Sequence, residues 1–128
     1  MKKLSNLIQT LLFMAIVGLF MTVSVSAATT TILTTPEKVT GLRQTSASGS
    51  SMNIAWNPAN GCTKGYYAVQ TSTDGVNWSA SADTSYRCED YLSGYTNSTT
   101  LYVRVAAYAK YDSDKVMGAY SDPIQVTT

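Results

Sequence analysis

Acid–base catalysis needs a side chain that titrates near neutral pH, and this chain offers little of that kind. It contains no histidine, the side chain that most often serves as a general base and activates Ser or Cys nucleophiles. Glu89 and Asp90 are adjacent in a predicted strand, so their carboxylates point to opposite faces and cannot flank one substrate bond. We therefore expect a protein that is not an enzyme and that uses no cofactor.

The two cysteines, Cys62 and Cys88, are the next candidates for chemistry. In an exported protein such a pair favours a disulfide, which would stabilise the fold by about 3 kcal/mol in the chain-entropy description. Two unpaired thiols are the alternative. Two cysteines without a histidine make at most half a zinc site, and the loop carboxylates of Asp112 and Asp114 are weak candidates for calcium. We expect no metal site.

Aromatic and cationic side chains offer a third kind of chemistry, which is recognition. Alternation along residues 101–108 places Tyr102, Arg104 and Tyr108 on one face of a strand, and Tyr66 falls on the same face of a neighbouring strand. Aromatic faces beside hydrogen-bonding groups suit sugars or protein partners. These four residues are the predicted binding face. The alternative is that tyrosine is simply favoured on strands that face solvent.

These residues depend on strands for their positions, and Leu101–Tyr108 is predicted as the central one because it alternates apolar and polar side chains. No helical period appears after the N-terminal segment, and Gln44–Ser50 and Lys110–Gly118 are predicted as a polar turn and a long polar loop. The other main predicted strands are Ser51–Trp56, Tyr66–Thr71, Tyr86–Leu92 and Tyr120–Thr127. The predicted core consists of Val39, Leu42, Ile54, Trp56, Tyr67, Val69, Leu101, Val103, Val105, Ile124 and Val126.

The N-terminus has the pattern of a secretory signal peptide. Two lysines precede an apolar run over residues 7–25, and small residues offer cleavage after Ala27 or Ala28. An uncleaved membrane anchor is the alternative. The predicted division is a signal peptide at 1–28, a Thr-rich leader at 29–35 and one domain at 36–128. We expect a secreted, extracellular protein, or one in the periplasm or at the cell surface, with no membrane contact after cleavage.

Charge argues against two classes of partner. Removing Lys2 and Lys3 from the nine cationic residues leaves seven against eight acidic ones, a net charge of −1 for the mature chain. A nucleic-acid-binding domain would carry a basic patch or an excess of positive charge. We expect no nucleic-acid partner, and the same balance disfavours an anionic membrane surface.

The domain resembles a fibronectin type III domain, of the kind found in secreted bacterial proteins. The resemblance rests on the order of several short patterns: Pro36-x-x-Val39-x-x-Leu42, Ile54-x-Trp56 before Pro58, Tyr67-x-Val69, Ser72-x-Asp74-Gly75, Val103-x-Val105-x-Ala107 and Tyr120-Ser121. It implies an all-β, immunoglobulin-like sandwich of seven strands in two antiparallel sheets, A-B-E and C-C′-F-G, with Trp56 in the core. It also implies that Cys62 in the B–C loop and Cys88 on strand E approach each other, which supports the bridge.

The chain also departs from the family pattern. By spacing, Tyr95 stands where the family has a leucine and Leu101 where it has the tyrosine of the tyrosine corner. We expect Tyr95 to pack in the place of that leucine. No Arg-Gly-Asp tripeptide lies between strands F and G, so the integrin-binding use of the family does not transfer.

Two functions remain open at this point. One is a secreted binding or adhesion module that recognises a protein, or a polysaccharide or cell-wall ligand, through the Tyr66, Tyr102 and Tyr108 face or through the B–C and F–G loops. The other is a structural spacer or a self-assembling extracellular protein. The sequence leaves the oligomeric state open.

Overall fold

A computed structural model describes residues 27, 30–63, 65–80, 82–84 and 87–128. The chain divides into two units, Met1–Thr30 and Thr31–Thr128, and nearly all described residues belong to the second. Apart from Ala27, the predicted signal peptide lies outside the described residues. Across the described part of the chain, no helix is long and apolar enough to cross a membrane.

One sheet of the second unit has three antiparallel strands. β1 (Arg43–Ser48) pairs with β2 (Ser51–Ala55), which pairs on its other edge with β5 (Glu89–Ser93). The predicted polar turn at Gln44–Ser50 is wrong for residues 44–48, which belong to β1. The side chains of β1 are nearly all exposed, so this edge strand has no apolar alternation, and backbone hydrogen bonds to β2 hold it in place.

The other sheet has five strands in the order β4-β3-β6-β7, with β8 also on β6. β3 is Tyr67–Ser72, β4 is Ala82–Thr84 and β6 is Thr100–Tyr111. The pairing of β3 with β6 covers six residues of each strand. β6 therefore occupies the centre that the alternating sequence predicts, and it extends three residues beyond Tyr108.

The last strand of the fold is interrupted. β7 (Asp114–Met117) and β8 (Ile124–Thr127) pair with opposite ends of β6. Between them, Gly118 N donates to Ala107 O at 2.9 Å, and Ser121 N donates to Val105 O at 2.8 Å. The prediction of a long loop at Lys110–Gly118 is wrong, because the chain turns sharply at Asp112, whose φ of 53° is tolerated by aspartate, and pairs again.

The core lies between the two sheets. Every residue predicted to face inward is in or against this core, and Leu42 and Ile124 are the two that are only partly buried. Met52 and Ala107, at inward positions of the two predicted alternating strands, also belong to the core. The fully formed cluster contains Val39, Met52, Ile54, Trp56, Tyr67, Val69, Leu101, Val103, Val105, Ala107 and Val126.

The segment before β1 closes one side of the sandwich without forming a regular strand. Glu37 N donates to Asn60 O at 3.0 Å, and Asn57 N donates to Thr40 O at 2.9 Å. The segment passes so close to Gly118 that a Cβ atom there would lie 2.7 Å from Pro36 O. A glycine at 118 is therefore required by close backbone approach.

Tyr95 and Leu101 occupy the exchanged positions that the sequence indicates. Leu101 is buried in the core, and Tyr95 is partly buried against it. Tyr95 N donates to Ser50 O at 3.1 Å, which ties the chain entering β6 to the turn between β1 and β2. The tyrosine thus packs in the place of an aliphatic side chain.

Candidate interaction surface

The outer face of the five-stranded sheet carries the four residues predicted to bind. Tyr102, Arg104 and Tyr108 lie on the side of β6 that faces away from the core, and Tyr66 directly precedes β3. Tyr66, Tyr102 and Arg104 are partly exposed, whereas Tyr108 is only 2% exposed. The strand period gives the correct face for these side chains, but it does not reveal that other groups cover Tyr108.

Tyr108 is covered by an aromatic and a cationic neighbour. The ring of Tyr66 stacks on it at 5.2 Å between centroids, with 12° between the planes, and Lys115 Nζ lies 3.8 Å from the centre of the Tyr108 ring. Lys115 also forms an ion pair with Asp83 at 3.2 Å. Burial, together with the Asp83 carboxylate, raises the pKa of Tyr108 to about 12. Tyr108 therefore supports Tyr66 from below and is not itself a contact surface.

A groove opens beside this stack, between the loop that leads into β3 and the β6–β7 hairpin. It has a volume of about 370 Å³ and is lined by Thr63, Tyr66, Lys110, Tyr111 and Asp112. Thr63 fixes the two walls together, because its Oγ1 accepts from Lys110 N at 3.0 Å and its N donates to Tyr108 O at 3.2 Å. We call this site the hairpin groove.

Tyr111 is the functional candidate that sequence reasoning missed. Its side chain is 58% exposed, which is unusual for a large aromatic residue here. The prediction ended the strand at Tyr108 and placed Tyr111 in a loop, whereas β6 continues through it. Alternation past Tyr108 gives Tyr111 the parity of the inward-facing residues of β6, so the strand period does not mark it as a surface residue.

The middle of the outer face is occupied by a clamped arginine. The guanidinium carbon of Arg104 lies 4.2 Å from the centre of the Trp78 ring and 4.3 Å from that of Tyr120. Arg104 Nε donates to Gln70 Oε1 at 2.8 Å, across the β3–β6 pair. Cation–π contacts and this hydrogen bond hold the guanidinium in one orientation. We call this arrangement the Arg104 clamp.

Tyr102 marks the other end of the face, and a well-ordered turn supports it. Tyr102 Oη accepts from Gln125 Nε2 at 2.8 Å, and its ring lies against Gly75. The turn is held by the Asp74 carboxylate, which accepts from the backbone N–H groups of Asn77 and Val76, each at 2.8 Å. These bonds hold the pKa of Asp74 well below its ordinary value.

The predicted disulfide is not formed in the structure, where Cys62 and Cys88 are free thiols. They do converge on one region, as the family topology implies, but each points at an oxygen. Cys62 Sγ donates to Tyr66 O at 2.9 Å, and Cys88 Sγ donates to the Tyr67 hydroxyl at 3.5 Å. Burial raises the pKa of Cys62. The Tyr67 hydroxyl contacts both thiols.

Thiol counting tests this arrangement. Protein purified from an oxidising compartment and denatured without reductant should show both cysteines reactive toward an alkylating agent. In the folded protein the reaction should be much slower, because the thiols are partly buried and the raised pKa of Cys62 lowers its thiolate fraction. A sample reduced before denaturation is the control. No reactive thiol before reduction would contradict the structure and restore the disulfide.

Carboxylates do not gather into a metal site in the part of the chain that is described. Asp112 and Asp114 lie at the tip of the β6–β7 hairpin, and among the described residues no group of three or more His, Cys, Asp or Glu could hold a metal ion. Asp112 instead contributes a negative wall to the hairpin groove.

Comparison with known proteins identifies the fold. No family sequence profile matches the chain, and no curated protein matches it in sequence. A crystal structure of titin domains superposes with a TM-score of 0.61 at 19% identity, over 73% of this chain and 32% of that one. Domains d3 and d4 of rat CD45 give 0.58 at 20% identity, over 77% of this chain and 52% of that one. This chain thus spans about a third and about half of those two fragments.

A single human domain matches over its whole length. The fibronectin type III domain of human collagen XX superposes with a TM-score of 0.56 at 21% identity, over 80% of this chain and 100% of that one. The chain therefore has the fibronectin type III fold, as its sequence patterns indicated, and it is all-β with two antiparallel sheets.

Proposed function

We propose that this fibronectin type III domain is a non-catalytic binding module, exported from the cell, that holds a glycan chain in the hairpin groove. The observation that carries the proposal is the composition of that groove. Two tyrosines, Tyr66 and Tyr111, line it together with Thr63, Lys110 and Asp112, whose side chains carry a hydroxyl, an ammonium and a carboxylate. A sugar presents apolar C–H faces and hydroxyl edges, and this mixture of groups complements both.

The aromatic part of the groove is preorganised. Tyr66 is stacked on the buried ring of Tyr108, and Lys115 and Asp83 hold that ring from the neighbouring strands. A ligand that packs on Tyr66 therefore does not have to order the side chain first, which reduces the entropic cost of binding. This support explains why a tyrosine that cannot touch a ligand, Tyr108, belongs to the site.

The size of the site favours a glycan over a folded protein as the ligand. A groove of about 370 Å³ is in the range of sites that enclose small or chain-like ligands, roughly 300–1,000 Å³. A stable protein–protein interface usually buries about 1,200–2,000 Å² and has an apolar centre. Lys110 and Asp112 bring charges of both signs to the groove. Such charges suit the hydroxyl groups of a sugar better than they suit the apolar centre of a protein–protein interface. The signal-peptide pattern supports a ligand outside the cell, such as a cell-wall polysaccharide.

A matched pair of tyrosine variants tests the proposal. Tyr111→Ala should weaken retention on the recognised polysaccharide by at least about tenfold, since tyrosine contacts are often binding hot spots. Tyr91→Ala is the control, because Tyr91 is equally exposed, 59% against 58%, but lies on β5 in the other sheet. Both side chains are outside the core, so neither change should unfold the domain. Retention is measured by pull-down of the mature protein on a panel of insoluble polysaccharides and cell walls.

Three results would contradict the proposal. Equal loss in both variants would point to nonspecific adsorption of exposed tyrosines, and unchanged retention in Tyr111→Ala would remove the hairpin groove as the site. Failure of the wild-type protein to bind any polysaccharide, with capture of a protein from cell walls, would assign the surface to a protein partner.

A further inference from the structure

Arg104 is a partly buried cation without an anion. The chain has eight acidic residues, all of them within the described ranges, and the ion pairs found there join other residues: Lys38 with Asp122, Arg87 with Glu89 and Lys115 with Asp83. No carboxylate of the described residues pairs with Arg104. A partly buried charge is normally compensated by a partner of opposite charge, and Arg104 has none among the described residues.

The geometry of the Arg104 clamp leaves one edge of the guanidinium available. Nε donates to Gln70, and the rings of Trp78 and Tyr120 lie 4.2 Å and 4.3 Å from the guanidinium carbon. In the described part of the chain, the two terminal Nη groups have no acceptor. Two adjacent N–H donors in a fixed plane match the two oxygens of a carboxylate, and such bidentate pairs are among the strongest hydrogen bonds in proteins.

We propose that the Arg104 clamp binds a carboxylate, and that the glycan recognised by this domain is therefore acidic and carries uronic acid units. This inference rests on the proposed glycan-binding function and specifies its ligand class. Arg104 and Tyr108 are four residues apart on β6, a separation of about 13 Å along the strand, and they lie on the same outer face. One extended glycan chain can therefore contact the hairpin groove and place a carboxylate on Arg104.

The surroundings of the clamp match this role better than a purely structural one. A structural arginine usually satisfies its donors with backbone carbonyls or acidic side chains, whereas among the described residues Arg104 donates to Gln70 alone. The rings of Trp78 and Tyr120 lie against the guanidinium and limit the access of water to it. Partial exclusion of water strengthens a hydrogen bond between charged groups, so a carboxylate would bind better here than at an exposed arginine such as Arg43.

The test compares one polymer in two chemical forms, with the wild-type protein. The mature domain is titrated with polygalacturonate, with its methyl ester and with a neutral glucan, and Trp78 emission is followed because its ring lies on the guanidinium. We expect at least tenfold tighter binding to the acid than to the ester and a change in emission with the acid alone. Arg104→Lys keeps the charge but loses the planar fork, so it should abolish the preference, while Arg43→Lys on β1 should keep it.

Each alternative result has one meaning. Equal affinity for acid and ester would overturn the carboxylate assignment and leave the glycan-binding function intact. Binding to none of the three polymers or to any wall polysaccharide would overturn both. If the Arg104→Lys variant has an unchanged circular dichroism spectrum and still prefers the acid, the carboxylate does not bind at Arg104. Equal binding of poly-glutamate would overturn the assignment to a uronate.

Discussion

Replacing Trp56 with alanine should lower the free energy of unfolding by about 3–5 kcal/mol, the loss usual for a buried tryptophan. Trp56 follows β2 and is 2% exposed between the two sheets. Its ring meets that of Tyr67 edge to face, with 5.2 Å between centroids and 66° between planes. A domain of this size is stable by roughly 5–15 kcal/mol, so this loss is a substantial fraction of its total stability.

The second tryptophan of the domain provides a matched control. Trp78 is partly exposed on the outer face, where its main described contact is with Arg104. Trp78→Ala removes a cation–π contact of about 0.5–2 kcal/mol and leaves no cavity in the core. Urea unfolding followed by circular dichroism compares the two variants, and equal losses of stability would contradict the placement of Trp56 between the sheets.

A conservative variant separates packing from hydrogen bonding at Trp56. The indole Nε1 is buried and has no hydrogen-bond partner among the described residues, which is a cost that the wild-type protein carries. Trp56→Phe removes this donor while keeping an aromatic ring against Tyr67. Its loss of stability should therefore be clearly smaller than that of Trp56→Ala. An equal loss would contradict the packing of the ring at position 56 against Tyr67.

The strands that could be predicted are those with one buried face. β2 and β6 alternate between core and surface, and Ile54 and Val105 are completely buried at the inward positions of these strands. Because a strand with one buried face imposes a period of two on its apolar residues, these strands and their core residues follow directly from the sequence.

The strands that could not be predicted are those without such a face. β1 is polar except for Ala47 and is held by backbone pairing to β2. β7 exists because the chain turns at Asp112 and pairs with the end of β6. In both cases the determining interaction is a backbone ladder with a neighbour, and the identity of the side chains reports it weakly.

The candidate site shows the same limit. The period of β6 correctly places Tyr102, Arg104 and Tyr108 on one face. It does not show which groups from elsewhere cover that face: Lys115 from the hairpin covers Tyr108, and Trp78 and Tyr120 enclose Arg104. These partners are brought in by turns and loops whose paths no local pattern specifies, so sequence reasoning found the face but not the groove or the clamp.

Tyr67→Phe should lower the free energy of unfolding by about 1–3 kcal/mol, because it leaves partly buried donors without an acceptor. The Tyr67 hydroxyl accepts from Ala59 N at 3.1 Å and from Cys88 Sγ at 3.5 Å. The hydroxyl therefore connects the loop after β2 to the residue before β5. Tyr95→Phe is the control, since Tyr95 is also partly packed on the core but its hydroxyl makes no hydrogen bond with another described residue.

The loss should also depend on pH in a defined direction. Burial, followed by the contact with Cys88, raises the pKa of Tyr67 well above its ordinary value of 10.0, so the folded state keeps the proton that the unfolded state releases. The stabilisation from the neutral hydroxyl is complete below about pH 10 and is lost as the pH rises from there toward the folded-state pKa. The phenylalanine variant lacks this contribution, while all other tyrosines titrate alike in both proteins.

Urea unfolding of the two proteins between about pH 8 and pH 11 measures this effect. The stability difference between wild type and Tyr67→Phe should be constant up to about pH 10 and should then shrink. A difference that stays constant or grows would mean that the Tyr67 hydroxyl ionises as easily in the folded state as in the unfolded chain. In that case the Tyr67 hydroxyl would not lie buried in contact with the two thiols, as it does in the structure.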